Sequence, residues 1–346
     1  MSPSLCEYKY EEYLKYVNIL RNGAILLGRY FTVDGFSNRP IRVITHAHSD
    51  HLCGLEESIK HSSRVIASSI TLDLVEALGY VKQELVPLLR LKGQALNYHE
   101  AFVANEETCT LLKVDHIPGA SQVLVKLKDR GISLGYTGDF KLTDKTEILE
   151  SPNVLVIEAT YSDPTFVRNY KTTVPQILVD LVSEGLSKYK RVYIYAYHGK
   201  IQEAMSILRE NDIGVPFVLP DKVYRATKLL ECKYGYKYGE YFKERAAVKS
   251  DRLVFFKHFN TARFRRLDNN ALYIVLTGRF ANEPFKKIDD YTYVISLSDH
   301  ADFADLVEYV KLANPELVII DSSRADNTEG LRSYLLSKGY CALSLP

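Results

Sequence analysis

The sequence predicts an α/β fold on two observations. Its first part is a succession of short apolar runs separated by turn residues, and from about Pro164 such runs alternate with helical periodicity. A third observation places chemistry on that frame. Single His, Asp and Glu residues follow directly on several of the runs, where loops display ligands on a rigid sheet.

The runs Ala24–Leu27, Phe31–Val33, Ile41–Ile44, Arg64–Ala67, Cys109–Val114, Val123–Leu127 and Ile132–Tyr136 read as strands, with a helix near Ile70–Leu78. Val154–Ile157 reads as a buried strand that ends at Glu158. Beyond Pro164 the order is helix near Val174–Leu186, strand Val192–Tyr195, helix near Ile201–Leu208 and strand Pro216–Leu219, which is the pattern of a parallel α/β unit. Strands at Tyr273–Leu276, Tyr293–Ile295 and Leu317–Ile320 and helices near Phe303–Leu312 and Gly330–Leu336 complete the chain.

With 346 residues, 46% hydrophobic and 25% charged, the chain is globular in composition and long enough for about two domains. The net charge of +1 is not evenly spread. From Lys222 to Arg266 there are 13 Lys or Arg and 4 Asp or Glu, interleaved with Tyr234, Tyr236, Tyr238, Tyr241, Phe255 and Phe264. Bases among aromatics suit phosphate contacts and base stacking, and equally suit solvated lysines over a tyrosine core. The five cysteines are scattered without a Cys-x-x-Cys pair, which argues against a disulfide framework and fits a reducing compartment. The polar segment Met1–Tyr13 is not a secretory signal, and no apolar run reaches membrane-spanning length, so a soluble cytoplasmic setting is expected.

Thr45-His-Ala-His-Ser-Asp-His51 holds three of the nine histidines and a carboxylate immediately after the apolar run Ile41–Ile44. Imidazole and carboxylate suit zinc, iron and manganese. If the strand continues, His46 and His48 share one face, while Asp50 and His51 lie on the loop beyond and can face a second ion. More ligands are needed, and His116, Asp139 and His300 each stand at a strand end.

The order of these segments resembles the metallo-β-lactamase superfamily, and within it the β-CASP nucleases of the DNA cross-link repair branch (Artemis/Apollo type). Phe31–Phe36 resembles that branch's opening strand and its Asp, here Asp34. Thr45–His51 is similar to its signature, His116-Ile-Pro-Gly-Ala120 to its His-Cys-Pro-Gly-Ala, and Thr137-Gly-Asp-Phe140 to its bridging-aspartate motif. Glu158–Pro164, Gly199-Lys200 with Glu203, and Ser298-Asp-His300 resemble the remaining motifs. Two residues depart from the pattern. Glu158 stands where the cross-link repair branch usually has Asp and RNA-processing relatives often have Glu, and Asp299 stands for Glu.

The resemblance implies an αββα sandwich with an inserted β-CASP α/β domain: residues 1–165 and 285–346 for the metallo-β-lactamase domain, 166–284 for the insert. It implies that His46, His48 and His116 hold one divalent ion, that Asp50, His51 and His300 hold a second, and that Asp139 bridges. Zinc is the expected metal, with manganese or magnesium as alternatives. Such a pair of ions lowers the pKa of a water between them and stabilises attacking and leaving oxygens. Asp50, Asp139, Glu158 and His300 are thus the catalytic candidates, with Asp34 and Glu158 orienting ligand histidines. Ser162, His198, Gly199 and Lys200 are candidates for a substrate phosphate pocket at a helix start. Asp163 and His198 are candidate proton donors, His258 a candidate further histidine of the insert, and His61 and His99 read as surface or structural.

The function implied is a metal-dependent phosphodiesterase on nucleic acid: a 5′→3′ DNA exonuclease of repair and end processing, with an RNA-processing exo- or endoribonuclease as the alternative and DNA favoured as partner. A small-molecule hydrolase such as a thioesterase or lactonase has no use for the basic α/β segment. A non-catalytic subunit has no need for a filled ligand set.

Overall fold

Apolar strands pair into three sheets in the computed structural model, which describes residues 3–262, 268–325 and 327–346. The chain divides into two units, one formed by the segment up to Phe166 together with His300–Pro346, the other by Val167–Asp299.

The first unit holds two sheets. A six-stranded sheet runs Val17–Ile19, Ile25–Leu27, Phe31–Val33, Ile41–Val43, Arg64–Ala67, Gly93–Ala95. A seven-stranded sheet runs Ala342–Leu345, Leu317–Asp321, Val154–Ile157, Ile132–Tyr136, Ser121–Leu127, Glu107–Lys113, Ala101–Ala104. Alternation along the strands sends Val33, Val43, Ile66, Leu111, Val125 and Leu134 into one shared core. Helices Leu55–His61, Ser69–Ala77 and Val86–Lys92 pack on the first sheet, and Glu329–Ser337 packs on the last strand of the second. This is the αββα sandwich of the metallo-β-lactamase fold.

The second unit is a seven-stranded sheet with the order Tyr241–Lys243, Phe217–Leu219, Leu253–His258, Arg191–Ala196, Leu272–Leu276, Thr292–Ile295, Phe285–Asp289. All neighbours are parallel except the last pair. The expected boundary at 284 falls inside this unit, because Phe285–Asp289 and Thr292–Ile295 pair into its sheet. Phe285–Asp289 is an edge strand exposed at every position. The basic segment contains the helix Asp221–Tyr234, which buries Val223, Ala226 and Leu230 and exposes Lys222, Arg225 and Lys228. Its tyrosines pack: Tyr238 is buried and stacks on Tyr236, and the Tyr241 hydroxyl donates to Glu231 at 2.8 Å. Phe264 and Arg266 lie outside the described residues.

The cysteine reading is corrected. Cys6, on the helix Pro3–Tyr13, is disulfide-bonded to Cys341 across a separation of 335 residues. The pair closes nearly the whole chain, so no local spacing could signal it. The same helix is tied down by Tyr10, whose hydroxyl donates to the Ala342 carbonyl at 3.2 Å, and by Tyr13, which donates to Glu316 at 2.9 Å. No helix among the described residues is long and apolar enough to cross a membrane.

Closing so long a loop restricts the unfolded chain, an effect worth about 2–4 kcal/mol for a typical disulfide. Cys6→Ser, or a reductant acting on the wild type, should therefore lower the thermal midpoint by several degrees. Superimposable melting curves with and without reductant would show that the bond contributes nothing.

Candidate metal centre

Strand register delivers the polar residues to one end of the sandwich. Phe31–Val33 and Ile41–Val43 run parallel with Val33 opposite Val43, which sets Asp34 beside the Thr45–His51 segment. Ile132–Tyr136 and Val154–Ile157 run parallel with Tyr136 opposite Val156, which sets Asp139 near Glu158. His116 opens the hairpin after Glu107–Lys113. That hairpin turns through Gly119 at φ +85°, and the Gly119 carbonyl accepts the hydroxyls of Ser68 at 2.7 Å and Thr71 at 2.8 Å. A Cβ at Gly119 would stand 2.8 Å from the Ile70 Cβ, so the turn needs glycine both for conformation and for space.

Around Asp139 the candidates form overlapping clusters: His46, His48, His116 with Asp139; Asp50, His51 with Asp139; and Asp139, Glu158 with His300. The first cluster brings His46 Nε2 and His116 Nε2 each to 3.1 Å from His48 Nδ1. Asp139 Oδ2 lies 3.0 Å from His51 Nε2, 3.7 Å from His46 Nε2 and 3.9 Å from His300 Nδ1. The nitrogen of His300 that faces Asp139 is also met by Glu158, whose Oε2 is 3.1 Å from Nδ1 and whose Oε1 accepts the Phe140 N–H at 2.8 Å. Asp50 lies 3.5 Å from His51 Nε2 and is mostly exposed.

One buried carboxylate sets two of these histidines. Asp34 Oδ1 accepts the Thr45 N–H at 2.8 Å, and Oδ2 accepts the Thr45 hydroxyl and His51 Nδ1, the latter at 2.8 Å. Since the Thr45 hydroxyl gives its proton to Asp34, it can only accept from His46 Nδ1, 3.0 Å away. Both rings therefore carry their proton on Nδ1 and turn Nε2 toward the cluster, the arrangement a metal ligand needs. Asp34 itself sits at φ +49°, a left-handed conformation that Asp tolerates better than most residues. Its carbonyl accepts from Arg324, which is half-buried, pairs with Asp321 at 3.0 Å and also donates to the Gly23 carbonyl at 2.8 Å. Thr45 and Arg324 are functional neighbours that the sequence reading missed. The only signal for Arg324 was a lone base just after the apolar run Leu317–Ile320.

The donor set fits divalent metal. Two Nε2 atoms converge on one Nδ1 that can make a single hydrogen bond, whereas lone pairs on a common tetrahedral ion sit about 3.3 Å apart for Zn–N bonds of about 2.05 Å. His51 Nε2 is buried without a well-aligned hydrogen-bond partner. Burial, reinforced by the neighbouring imidazoles, holds His46 well below the usual histidine range, so it stays neutral and ready to ligate. Burial also opposes a charge on His51, but Asp139 and Asp34 overcome it and raise its pKa to about 10. Burial raises Glu158, while Asp139 stays ionised because His51 and His300 outweigh its burial.

A model of the "Beta-lactamase superfamily domain" matches residues 37–214, just over half of the chain. The chain belongs to the beta-lactamase superfamily. Several of the relatives it matches carry names of nucleases or DNA-repair proteins. An Acidianus ambivalens protein named "Uncharacterized protein in lig 3'region" is 40% identical over 140 residues, 40% of this chain and 98% of its own. "Probable RNase MJ4" of Methanocaldococcus jannaschii is 21% identical across 87% of this chain and 85% of its own. "5' exonuclease Apollo" of Gallus gallus is 25% identical across 86% of this chain and 63% of its own. The chain spans only 26% and 17% of the length of two other relatives.

Other residues singled out in this superfamily member sit as follows. Ser162 is buried and donates to the Asn327 carbonyl at 2.5 Å. His198 is buried, and the Gly199 N–H donates to Gln202 at 2.7 Å. Lys200 is buried in an ion pair with Asp299 at 2.8 Å, a partner the sequence did not suggest. Asp163 accepts the N–H and hydroxyl of Thr165, which hold its carboxyl low, so it is ionised at neutral pH and is a poor proton donor. His258 is exposed and caps the short helix Phe259–Thr261. His99 is an exposed partner of Glu147, and His61 is exposed on the helix Leu55–His61.

Three outcomes are expected. Because His51 keeps its proton below about pH 10 in the metal-free protein, zinc binding at neutral pH should release about one proton from it, and the release should vanish as the pH rises through 10. Titration calorimetry in buffers of different ionisation enthalpy reads this directly; a buffer-independent heat would contradict it. Asp34→Asn tolerates the same backbone conformation but replaces one of the two acceptor oxygens with a donor and removes the charge, and should weaken metal affinity by about 10–100-fold in a chelator competition. Lys200→Ala removes one partner of a buried ion pair and should lower stability in denaturant unfolding, by up to about 3–5 kcal/mol, with part of the loss recovered when Asp299 is also made apolar.

Proposed function

We propose that the chain is a metal-dependent nuclease that trims DNA from 5′ ends. The observation that carries the reading is the convergence of imidazoles and carboxylates on Asp139 Oδ2. His46, His48 and His116 would hold one ion, Asp50, His51 and His300 the second, with Asp139 between them. The imidazole-rich set favours zinc, and the carboxylates admit manganese or magnesium. Bound there, two divalent ions supply an acidified water and positive charge for the phosphoryl oxygens.

The protein's own groups do the rest. Asp34 fixes the orientation of His51 from the side away from the cluster, and Glu158 meets His300 on the cluster side, so both rings are ordered before substrate arrives. Burial at a strand end keeps Asp139 poorly hydrated, which strengthens its hold on cations. The exposed bases of the helix Asp221–Tyr234 supply a surface for the phosphate backbone.

DNA is favoured by the cross-link-repair-like motifs and by the relative named as a 5′ exonuclease. Glu158, the acid more often found in RNA-processing relatives, supports ribonuclease action as the second reading, as does the relative named as a probable RNase.

Strands labelled at the 5′ or the 3′ end, as DNA and as RNA, with each metal and with chelator, test this reading. Stepwise loss from the 5′ end of DNA is expected, abolished by chelator and reduced at least about 100-fold by Asp139→Asn. Hydrolysis of a lactone or thioester with no strand cleaved under any condition would sink it.

A further inference from the structure

In the second unit, three adjacent parallel strands end together. Ala196 and His258 are paired in register on Arg191–Ala196 and Leu253–His258, so the next residues, Tyr197 and Phe259, emerge side by side. Phe217–Leu219 pairs with Leu253–His258 on its other side and runs through Pro220 into the helix bearing Lys222. The space beyond the carboxyl ends of such strands is where open α/β sheets bind ligands.

The side chains there are arranged as a fixed aromatic surface. The rings of Tyr197 and Phe259 stack with centroids 4.8 Å apart and planes at 28°. His258 meets Tyr197 edge-on at 5.3 Å, and the Tyr197 hydroxyl donates to Asn260 Oδ1 at 3.1 Å. Held at its tip by Asn260, stacked against Phe259 and in contact with His258, Tyr197 still leaves 40% of its surface open. Burial, with the charge of Lys222 nearby, lowers the His258 pKa, so the cation at this surface is Lys222 and not the imidazole. Lys222 and Arg225 continue as exposed bases along the helix.

We propose that Tyr197 and Phe259, flanked by Lys222, form a stacking platform for an unpaired base of single-stranded nucleic acid. The proposal rests on the nuclease reading and adds to it a second contact, on the inserted unit, that takes the flat face of a base while Lys222 meets the adjoining phosphate. Stacking is tolerant of base identity, since every base has a π face, so the platform would grip a strand without reading its sequence.

The test compares a short single-stranded oligonucleotide with an abasic strand of the same length, in chelator so that nothing is cut. Wild type should bind the base-bearing strand more tightly. Tyr197→Ala should lose about 5- to 150-fold on that strand and little on the abasic one, while Tyr197→Phe should keep most of the difference. The chain contains no tryptophan, so Tyr197→Trp places its single tryptophan at the platform, whose emission, excited selectively, should be quenched by the base-bearing strand alone. Equal losses on both strands in Tyr197→Ala, or equal quenching by both, overturn the platform and indicate a surface for phosphate or for a protein side chain. A wild type that cleaves strands yet binds both alike overturns the platform while leaving the nuclease reading intact. A wild type that prefers bases through Tyr197 but cleaves nothing supports the platform and overturns the nuclease reading.

Discussion

The carboxylate of Asp34 is the constraint on which the centre depends. It is fully buried and accepts from the Thr45 amide, the Thr45 hydroxyl and His51. Through the hydroxyl it also decides which nitrogen of His46 is protonated. A free imidazole exchanges tautomers readily, so a histidine cluster on a surface loop would present a mixture of donors and acceptors. Here one anion at the end of a strand removes that mixture for two rings at once. The anion is in turn kept in place by Arg324, which reaches it from the opposite end of the chain by holding its carbonyl.

That arrangement explains why the sandwich matters for chemistry. Parallel pairing at two places, Val33 with Val43 and Tyr136 with Val156, puts carboxylates and imidazoles at the same end of neighbouring strands. The core between the sheets is apolar and closely packed, so the strand ends have little freedom to drift. Ligands carried by such ends are positioned by the whole sheet, and not by the loops alone.

Much of this was legible in the sequence. Phe31–Val33, Arg64–Ala67, Ile132–Tyr136 and Val154–Ile157 are strands with the bounds that their apolar runs suggest. The heptad at 45–51, His116, Asp139 and His300 could be named because each is a polar residue at the end of an apolar run, and because their order is shared with a family. Other features were hidden for physical reasons. The helix Asp221–Tyr234 buries only a narrow stripe beneath many bases, so its periodicity is faint. The ion pair of Lys200 with Asp299 joins residues 99 apart in sequence, so no local pattern signals it. Arg324 and the Cys6–Cys341 bond likewise join distant parts of the chain. Local pattern reports which face of a segment is buried; it does not report what a side chain meets across the fold.

The edge strand Phe285–Asp289 has a consequence for the molecule in company. Phe285 and Ile288 are exposed, and an open strand with apolar side chains is a template on which another molecule's strand can add. Lys286 and Lys287 lie between them and Asp289 ends the strand, so a second copy adding in parallel register sets ammonium against ammonium, whereas an antiparallel copy can set Lys286 against Asp289. Salt screens the repulsion and the attraction alike, so ionic strength should decide which pairing this edge admits: antiparallel in dilute buffer, with parallel addition becoming tolerable only as salt rises.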